Sequence, residues 1–290
     1  MTETTGATRK PASRLRRNWA KLRRNKAALF GGFILCVYLF TALWAPLLFT
    51  GSPSAPNLIL SLEGPSARHP LGTDELGRSI LGRIIWGSRV SLLIALGVVS
   101  VGLFVGVPFG LISGYYGGRM DFVIQRLTDM MLAFPGFLLA LGLVAVLGVG
   151  LKNTVVSIGI SMIPIYIRLV RGCVLTVREQ VYVEAAKAVG TRDFKILLRH
   201  ILPNVMVPIT VQTSLGMGNA ILFAAGLGFL GIGVQPPTPE WGAMLGSGRA
   251  YLFNAPHVAT FPGIAIFFSV LSFNLLGDGL RDALDPRFKL

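Results

Sequence analysis

The chain has 290 residues, of which 52% are hydrophobic and only 14% charged, against about 25% charged in an ordinary soluble domain. With a mean hydropathy of +0.65, it lacks the polar groups that cover a soluble fold, which argues against a soluble enzyme. The formal net charge of +14 raises nucleic acid as a partner, but nine of the 27 basic residues fall in the first 26 positions, directly ahead of an apolar run. That placement marks the cytoplasmic side of a membrane span, not a nucleic-acid surface.

Residues 1–26 read as a basic cytoplasmic tail. Within residues 14–26, Leu15, Trp19 and Leu22 recur at helical spacing among basic residues, as expected of a helix lying in the inner interface. The alternative is an unbroken extension of the first span. A span takes about 20 apolar residues. Residues 27–50 carry no charge and form the first one. Residues 51–88 are then an extracytoplasmic loop. A five-helix core fills residues 89–277. Its spans are expected at Val90–Tyr116, at Met130–Leu151 with a start near Asp121, from Asn153 to about Arg171, near 205–230, and from about Val258 to Gly277. The total is six. In the third span, Asp129 is expected to pair with Arg126 at i, i+3. Residues 278–290 form a cytoplasmic tail.

With both termini inside, 21 basic residues lie on the cytoplasmic side. The other six, Arg68, Arg78, Arg83, Arg89, Lys152 and Arg249, lie outside. This asymmetry sets the orientation. Gly102, Gly106, Gly110 and Gly114 share one face of the second span, a helix-packing seam whose partner lies in this chain or in another.

Enzyme signatures are missing from the sequence. It holds no G-x-x-x-x-G-K-[ST] phosphate loop, no H-E-x-x-H and no G-x-S-x-G. The one G-x-G-x-x-G, at Gly226, Gly228 and Gly231, follows an apolar run rather than a strand and reads as a flexible helix end. His69, His200 and His257 are dispersed, and Cys36 and Cys173 lie in no metal-binding motif. The span centres carry no carboxylates, which leaves a proton-driven secondary transporter poorly supported. The energy source is expected outside this chain.

The informative segment is the cytoplasmic loop 173–203. Residues 178–189 favour a helix, with Glu184 and Lys187 paired at i, i+3. Gly190 suits a left-handed helix end. Thr191 is expected to cap a second helix, with Asp193 in its first turn and Pro203 where it stops or bends. Ala185, Ala186, Ala188 and Val189 form a small-residue surface beside the turn. Such a surface fits a groove on another protein; two helices resting on the inner leaflet are the alternative.

Glu184-Ala185-Ala186, Gly190 and Leu202-Pro203 resemble the EAA loop of ABC importer permeases, with His200 where that pattern has an aliphatic residue. The stretches His69–Arg78, Ile84–Leu92, Gly231–Pro237 with Glu240–Gly242, and Leu275–Arg287 resemble the C-type (DppC/OppC-like) subunit of the dipeptide/oligopeptide importers. The resemblance covers roughly residues 14–287. It implies an all-α membrane protein with the type I ABC importer permease fold, in a bacterial inner membrane. It assigns Glu184, Ala185, Ala186, Gly190, Leu202 and Pro203 to ATPase coupling. The partners implied are a B-type (DppB/OppB-like) permease subunit, two ABC ATPase subunits, an extracytoplasmic substrate-binding protein and the lipid bilayer, with no nucleic acid. The chain is expected to be no enzyme and to hold no cofactor or metal, ATP and Mg being bound by the ATPase subunits. The expected cargo is a di- or oligopeptide; a nickel chelate, glutathione or heme remains open.

Overall fold

The computed structural model describes residues 21–284. Among these, regular structure is helical, apart from an isolated bridge between Thr73 and Ser79. Five helices are long and apolar enough to cross a membrane, or six if one bent pair counts as a span.

Helix α1 is Lys26–Leu48. Asn25 caps it by accepting a hydrogen bond from the Ala28 N–H at 3.1 Å. A helical turn at residues 21–24 precedes the break at Asn25, so α1 is not an unbroken extension of the basic segment. Residues 14–20 of the expected interfacial helix lie outside the described residues. Only Ala28, Gly31 and Ala45 of α1 are buried, leaving most of an apolar helix for lipid or another subunit.

Helix α2, Ile80–Tyr116, has 37 residues and is roughly 55 Å long at 1.5 Å per residue. It starts ten residues before Val90, inside the segment expected to be loop. Of the charges in this start, Arg83 is paired, and Arg89 is exposed with its guanidinium 5.4 Å from the centre of the Trp86 ring. Arg83 is buried, lies 3.4 Å from Asp74 and donates to the Pro53 carbonyl at 3.2 Å. Ser79 caps the helix through the Gly82 N–H.

The expected third span is two helices, α3 (Gly118–Leu132) and α4 (Gly136–Leu147), bent by 87°. Pro135 explains the break, since it has no N–H and drives Phe134 out of the helical region. Asp129 pairs with Arg168 at 2.6 Å, not with Arg126. Helix α5 runs through Leu151–Arg178, seven residues beyond Arg171.

A short helix α6, Val181–Ala188, follows. Helix α7, Asp193–Phe229, then continues without a stop through Pro203. A π turn at Leu197–Ile201 lies just ahead of that proline, and the widened turn makes room for its ring. After α8 (Trp241–Gly248), α9 (His257–Leu284) extends seven residues past Gly277. Residues 278–284 are therefore helix, not tail. The helix end bonds back to the start of α1, Asn25 Nδ2 donating to Asp282 at 3.2 Å.

Small residues bring the helices together, as expected where lipid offers no hydrophobic penalty to separation. The four glycines of α2 face α5. A Cβ on Gly102 would lie 2.8 Å from the Tyr166 ring, and one on Gly106 2.6 Å from Tyr166 Cβ. On Gly110 and Gly114 it would lie 2.7 Å from Val170 Cβ and Val174 Cβ. Their partner is thus in this chain. A spacing of four overshoots the 3.6-residue turn, and a π turn at Gly102–Gly106 takes up part of that excess. Gly226 and Gly228 similarly admit Phe137 and the start of α8. Gly231 then closes α7 at φ 78°, its N–H bonding the Gly228 carbonyl, with Ile232 N–H on Leu227. This helix end is a hydrogen-bonded turn.

Candidate functional site

Helix α6 ends in a turn dictated by Gly190. Its φ is 75°, a region glycine enters without the Cβ penalty. The Gly190 N–H bonds the Lys187 carbonyl at 2.9 Å, and the Thr191 N–H bonds the Ala186 carbonyl at 3.0 Å. This is the paired pattern of a Schellman helix end, which satisfies carbonyls that a helix leaves free. Among the described residues, no atom beyond its chain neighbours would lie within 4 Å of a Cβ on Gly190. The constraint there is conformational, not one of space within the chain. Arg192, not Thr191, occupies the cap position of α7, and no side chain caps it.

The segment has two unlike faces. Val183 and Ala186 are buried, while Glu184, Ala185, Ala188 and Val189 are exposed. Three of the four residues expected at the small-residue surface therefore face outward, and Ala186 faces in. Leu202 is half-buried and Pro203 exposed, on α7 beyond the π turn. The expected Glu184–Lys187 pair does not form. The Lys187 ammonium instead lies 5.1 Å from the centre of the Tyr115 ring, and the Glu184 carboxylate has no ion-pair partner among the described residues.

The inward face is anchored in a core of its own. Val183, Ala186, Ile196, Leu197 and Ile201 pack with Leu111 and Tyr115 of α2 and with Val170 and Val174 of α5. Polar bonds surround this core. Tyr115 donates to Asp193 Oδ1 at 2.7 Å. Arg171 grips Asp121 with two bonds of 2.6 and 2.7 Å, and Ser113 donates to the same carboxylate. Arg178 donates to the Gly114 carbonyl at 2.9 Å. Sequence reading missed Tyr115, Asp121 and Arg171, because their partners lie 50 to 78 positions away.

At the other end of the bundle, Asp74 accepts from the Leu76 and Arg78 N–H groups and from Arg78 Nε at 2.7 Å. Arg78 also reaches Glu75 at 3.0 Å. Gly72 and Gly77 hold positive φ, and a Cβ on Gly72 would strike Glu63 and His257. Buried Glu240 caps α8, accepting from the Gly242 and Ala243 N–H groups at 2.9 and 2.8 Å. Burial pushes its carboxyl above the usual range, and those two donors, with Ser91, oppose the shift. The motif residues of both stretches thus hold backbone geometry.

Comparison with known proteins places this architecture. Residues 106–290 match the binding-protein-dependent transport system inner membrane component, and residues 13–65 match the N-terminal TM domain of oligopeptide transport permease C. The chain is 47% identical to the dipeptide transport system permease protein DppC of Alkalihalophilus pseudofirmus, over 94% of this chain and 90% of that one. It is 47% identical to the di/tripeptide transport system permease protein DppC of Pseudomonas aeruginosa, over 96% and 93%. It is 46% identical to the glutathione transport system permease protein GsiD of Pectobacterium atrosepticum, over 93% and 90%. The MetNI methionine ABC transporter has a chain of the same fold, with a TM-score of 0.54 at 15% identity, over 70% of this chain and 97% of that one. From the helices, the bent pair and these matches together, the chain belongs to the inner-membrane permease family of binding-protein-dependent ABC transport systems, in its DppC/OppC-like branch.

Proposed function

We propose that this chain forms half of the translocation pathway of an ATP-driven importer of short peptides, and that α6 with its Gly190 turn is the helix on which an ATPase subunit docks. The observation that carries the reading is the two-faced segment. One face is locked to α2 and α5 by a buried core, and the other presents Glu184, Ala185, Ala188 and Val189 bare. A rigid body with an unpartnered surface transmits a push; a floppy loop would absorb it. Energy then enters through differential affinity of the ATPase pair for ATP in two conformations. The chain contributes positioning and a path, without an ATPase site of its own.

The remaining partners are a B-type permease subunit against the exposed apolar helices and a substrate-binding protein at the end opposite α6. The 21-to-6 distribution of basic residues supports an orientation with α6 and both termini in the cytoplasm of a bacterial cell. Relatives named for dipeptides, di- and tripeptides, and glutathione support a peptide cargo, glutathione being itself a tripeptide. A glutathione-specific system is the second reading, favoured by the 46% identity to GsiD.

The test is uptake by the complex reconstituted with its ATPases and binding protein, offered labelled dipeptides, tripeptides and glutathione in competition. ATP-dependent dipeptide uptake supports the first reading, and uptake of glutathione alone selects the second. ATP-independent uptake, or hydrolysis by the isolated chain, overturns both.

A further inference from the structure

We propose that Tyr115 is the positioning residue that ties α6, its turn and the start of α7 to the glycine-packed α2–α5 pair, through the hydrogen bond from its hydroxyl to Asp193. The inference rests on the coupling role proposed above and adds which side chain fixes the register of the motion.

The last turn of α2 is a junction. Ser113 bonds Asp121 of α3, Gly114 accepts from Arg178 of α5, and Tyr115 reaches both Lys187 of α6 and Asp193 of α7. Within one turn, α2 is therefore bound to every element that enters or leaves the segment. Gly106, Gly110 and Gly114 hold the same stretch of α2 against α5 at backbone distance. Displacement of the segment has a short, stiff route into the transmembrane core.

The hydroxyl matters separately from the ring. The apolar packing of the core that holds Tyr115 together with Leu111, Val174 and Ile196 is non-directional, and side chains slide along it at little cost. A phenol donating to a carboxylate at 2.7 Å is directional and charge-assisted. Asp193 is the first residue of α7, so a pull there acts on the beginning of a 37-residue helix. The ring of Tyr115 is buried, at 8% exposure, and it also receives the Lys187 cation. Phenylalanine would preserve both roles and remove the hydroxyl bond alone.

The test measures peptide moved per ATP hydrolysed in the reconstituted complex, together with retention of the ATPase subunits. Tyr115→Phe and Asp193→Ala are each expected to lower that ratio about tenfold, the scale of a lost hydrogen bond to a charged group. The double variant is expected to fall no further, because both remove one bond. Asp193→Asn keeps an acceptor oxygen and is expected to stay within about twofold of wild type. Wild-type ratios in Tyr115→Phe, additive losses in the double variant, or simple loss of the ATPase subunits would each overturn the inference. Gly190→Val in the same assay separates the two readings. If it uncouples while Tyr115→Phe does not, only the role of Tyr115 falls. If Gly190→Val is fully coupled, the docking assignment falls and takes this inference with it.

Discussion

The two ends of the bundle handle polarity in opposite ways. Around Asp74, two arginines, two backbone N–H groups and one carboxylate satisfy one another out of solvent. Around Gly190, Glu184, Ala185 and Ala188 of α6 point outward, while the inner face with Val183 and Ala186 is packed. The first end pairs its buried arginines within one chain, although the buried Glu75 Oε2 and His69 Nε2 have no hydrogen-bond partner among the described residues. The second has a finished inside and an open outside, the property a docking surface needs. Both use positive-φ glycines, but with different surroundings. A Cβ on Gly72 has backbone and a histidine ring against it, whereas one on Gly190 would have nothing within 4 Å among the described residues.

Substitutions can break or sharpen this contrast. The largest effect is expected from Asp74→Ala, which takes the shared carboxylate from buried Arg78 and Arg83 and leaves them only Glu75 and the Pro53 carbonyl. Loss of one partner from such a buried cluster costs about 3–5 kcal/mol. It should appear as a large drop in thermal midpoint in detergent and in the yield of folded protein. A near-wild-type midpoint would show that the two ends are not so different.

Next comes Gly110→Leu in the α2–α5 seam. Its added atoms meet Val170 Cβ at 2.7 Å and the Ile167 carbonyl at 2.9 Å, and overpacking of this kind costs about 1–3 kcal/mol. Thermal unfolding reads it directly. Gly110→Ala should lie between wild type and leucine, because even one Cβ is too close.

Gly190→Val is expected to cost only about 1 kcal/mol, from placing a side-chain-bearing residue at positive φ. Its effect on substrate-stimulated ATPase activity should be far larger than its effect on the thermal midpoint. Gly190→Asn should retain more activity than valine, since asparagine tolerates the left-handed region. Equal loss in both would move the explanation from backbone conformation to crowding in a partner groove.

The smallest effect on the chain itself is expected from Glu184→Lys. The side chain is exposed, so the thermal midpoint should not move. If α6 is the docking helix proposed above, pull-down of the ATPase subunits should nevertheless fall, because the charge on that surface is reversed. Unchanged pull-down, with transport intact, would argue that α6 rests on the inner leaflet, where an added lysine is favourable.

The sequence errors cluster where a local rule met a distant partner. The uncharged run begins only at Val90, after Arg89, yet α2 starts at Ile80, because Arg83 is paired with Asp74 nine positions before it. Asp129 was matched with the nearest arginine along the helix, yet Arg168 lies 2.6 Å away on α5. Lys187 was given to Glu184 for the same reason, and an aromatic ring 72 positions upstream holds it instead. Pro203 suggests a stop or a bend, because proline removes one hydrogen bond. The π turn at Leu197–Ile201 accommodates it, and no pattern of residue types announced that turn.

What the sequence determined by itself is whatever depends on short spacing and composition. Apolar runs of span length, basic residues clustered in positions 1–26 and 168–199, four glycines at intervals of four, and a glycine after a helix-forming stretch are all local signals. Each has a physical consequence that needs no partner: partition into a bilayer, orientation, a smooth helix face, a left-handed turn. The tertiary structure alone decided which elements those signals join. It set the smooth face of α2 against α5, folded α3 onto α4 at 87°, turned Ala186 inward and Ala185 outward, and brought Tyr115 to Asp193. Those outcomes depend on contacts between residues dozens of positions apart, where chain connectivity imposes no geometry and only the packing of all the helices together selects one arrangement.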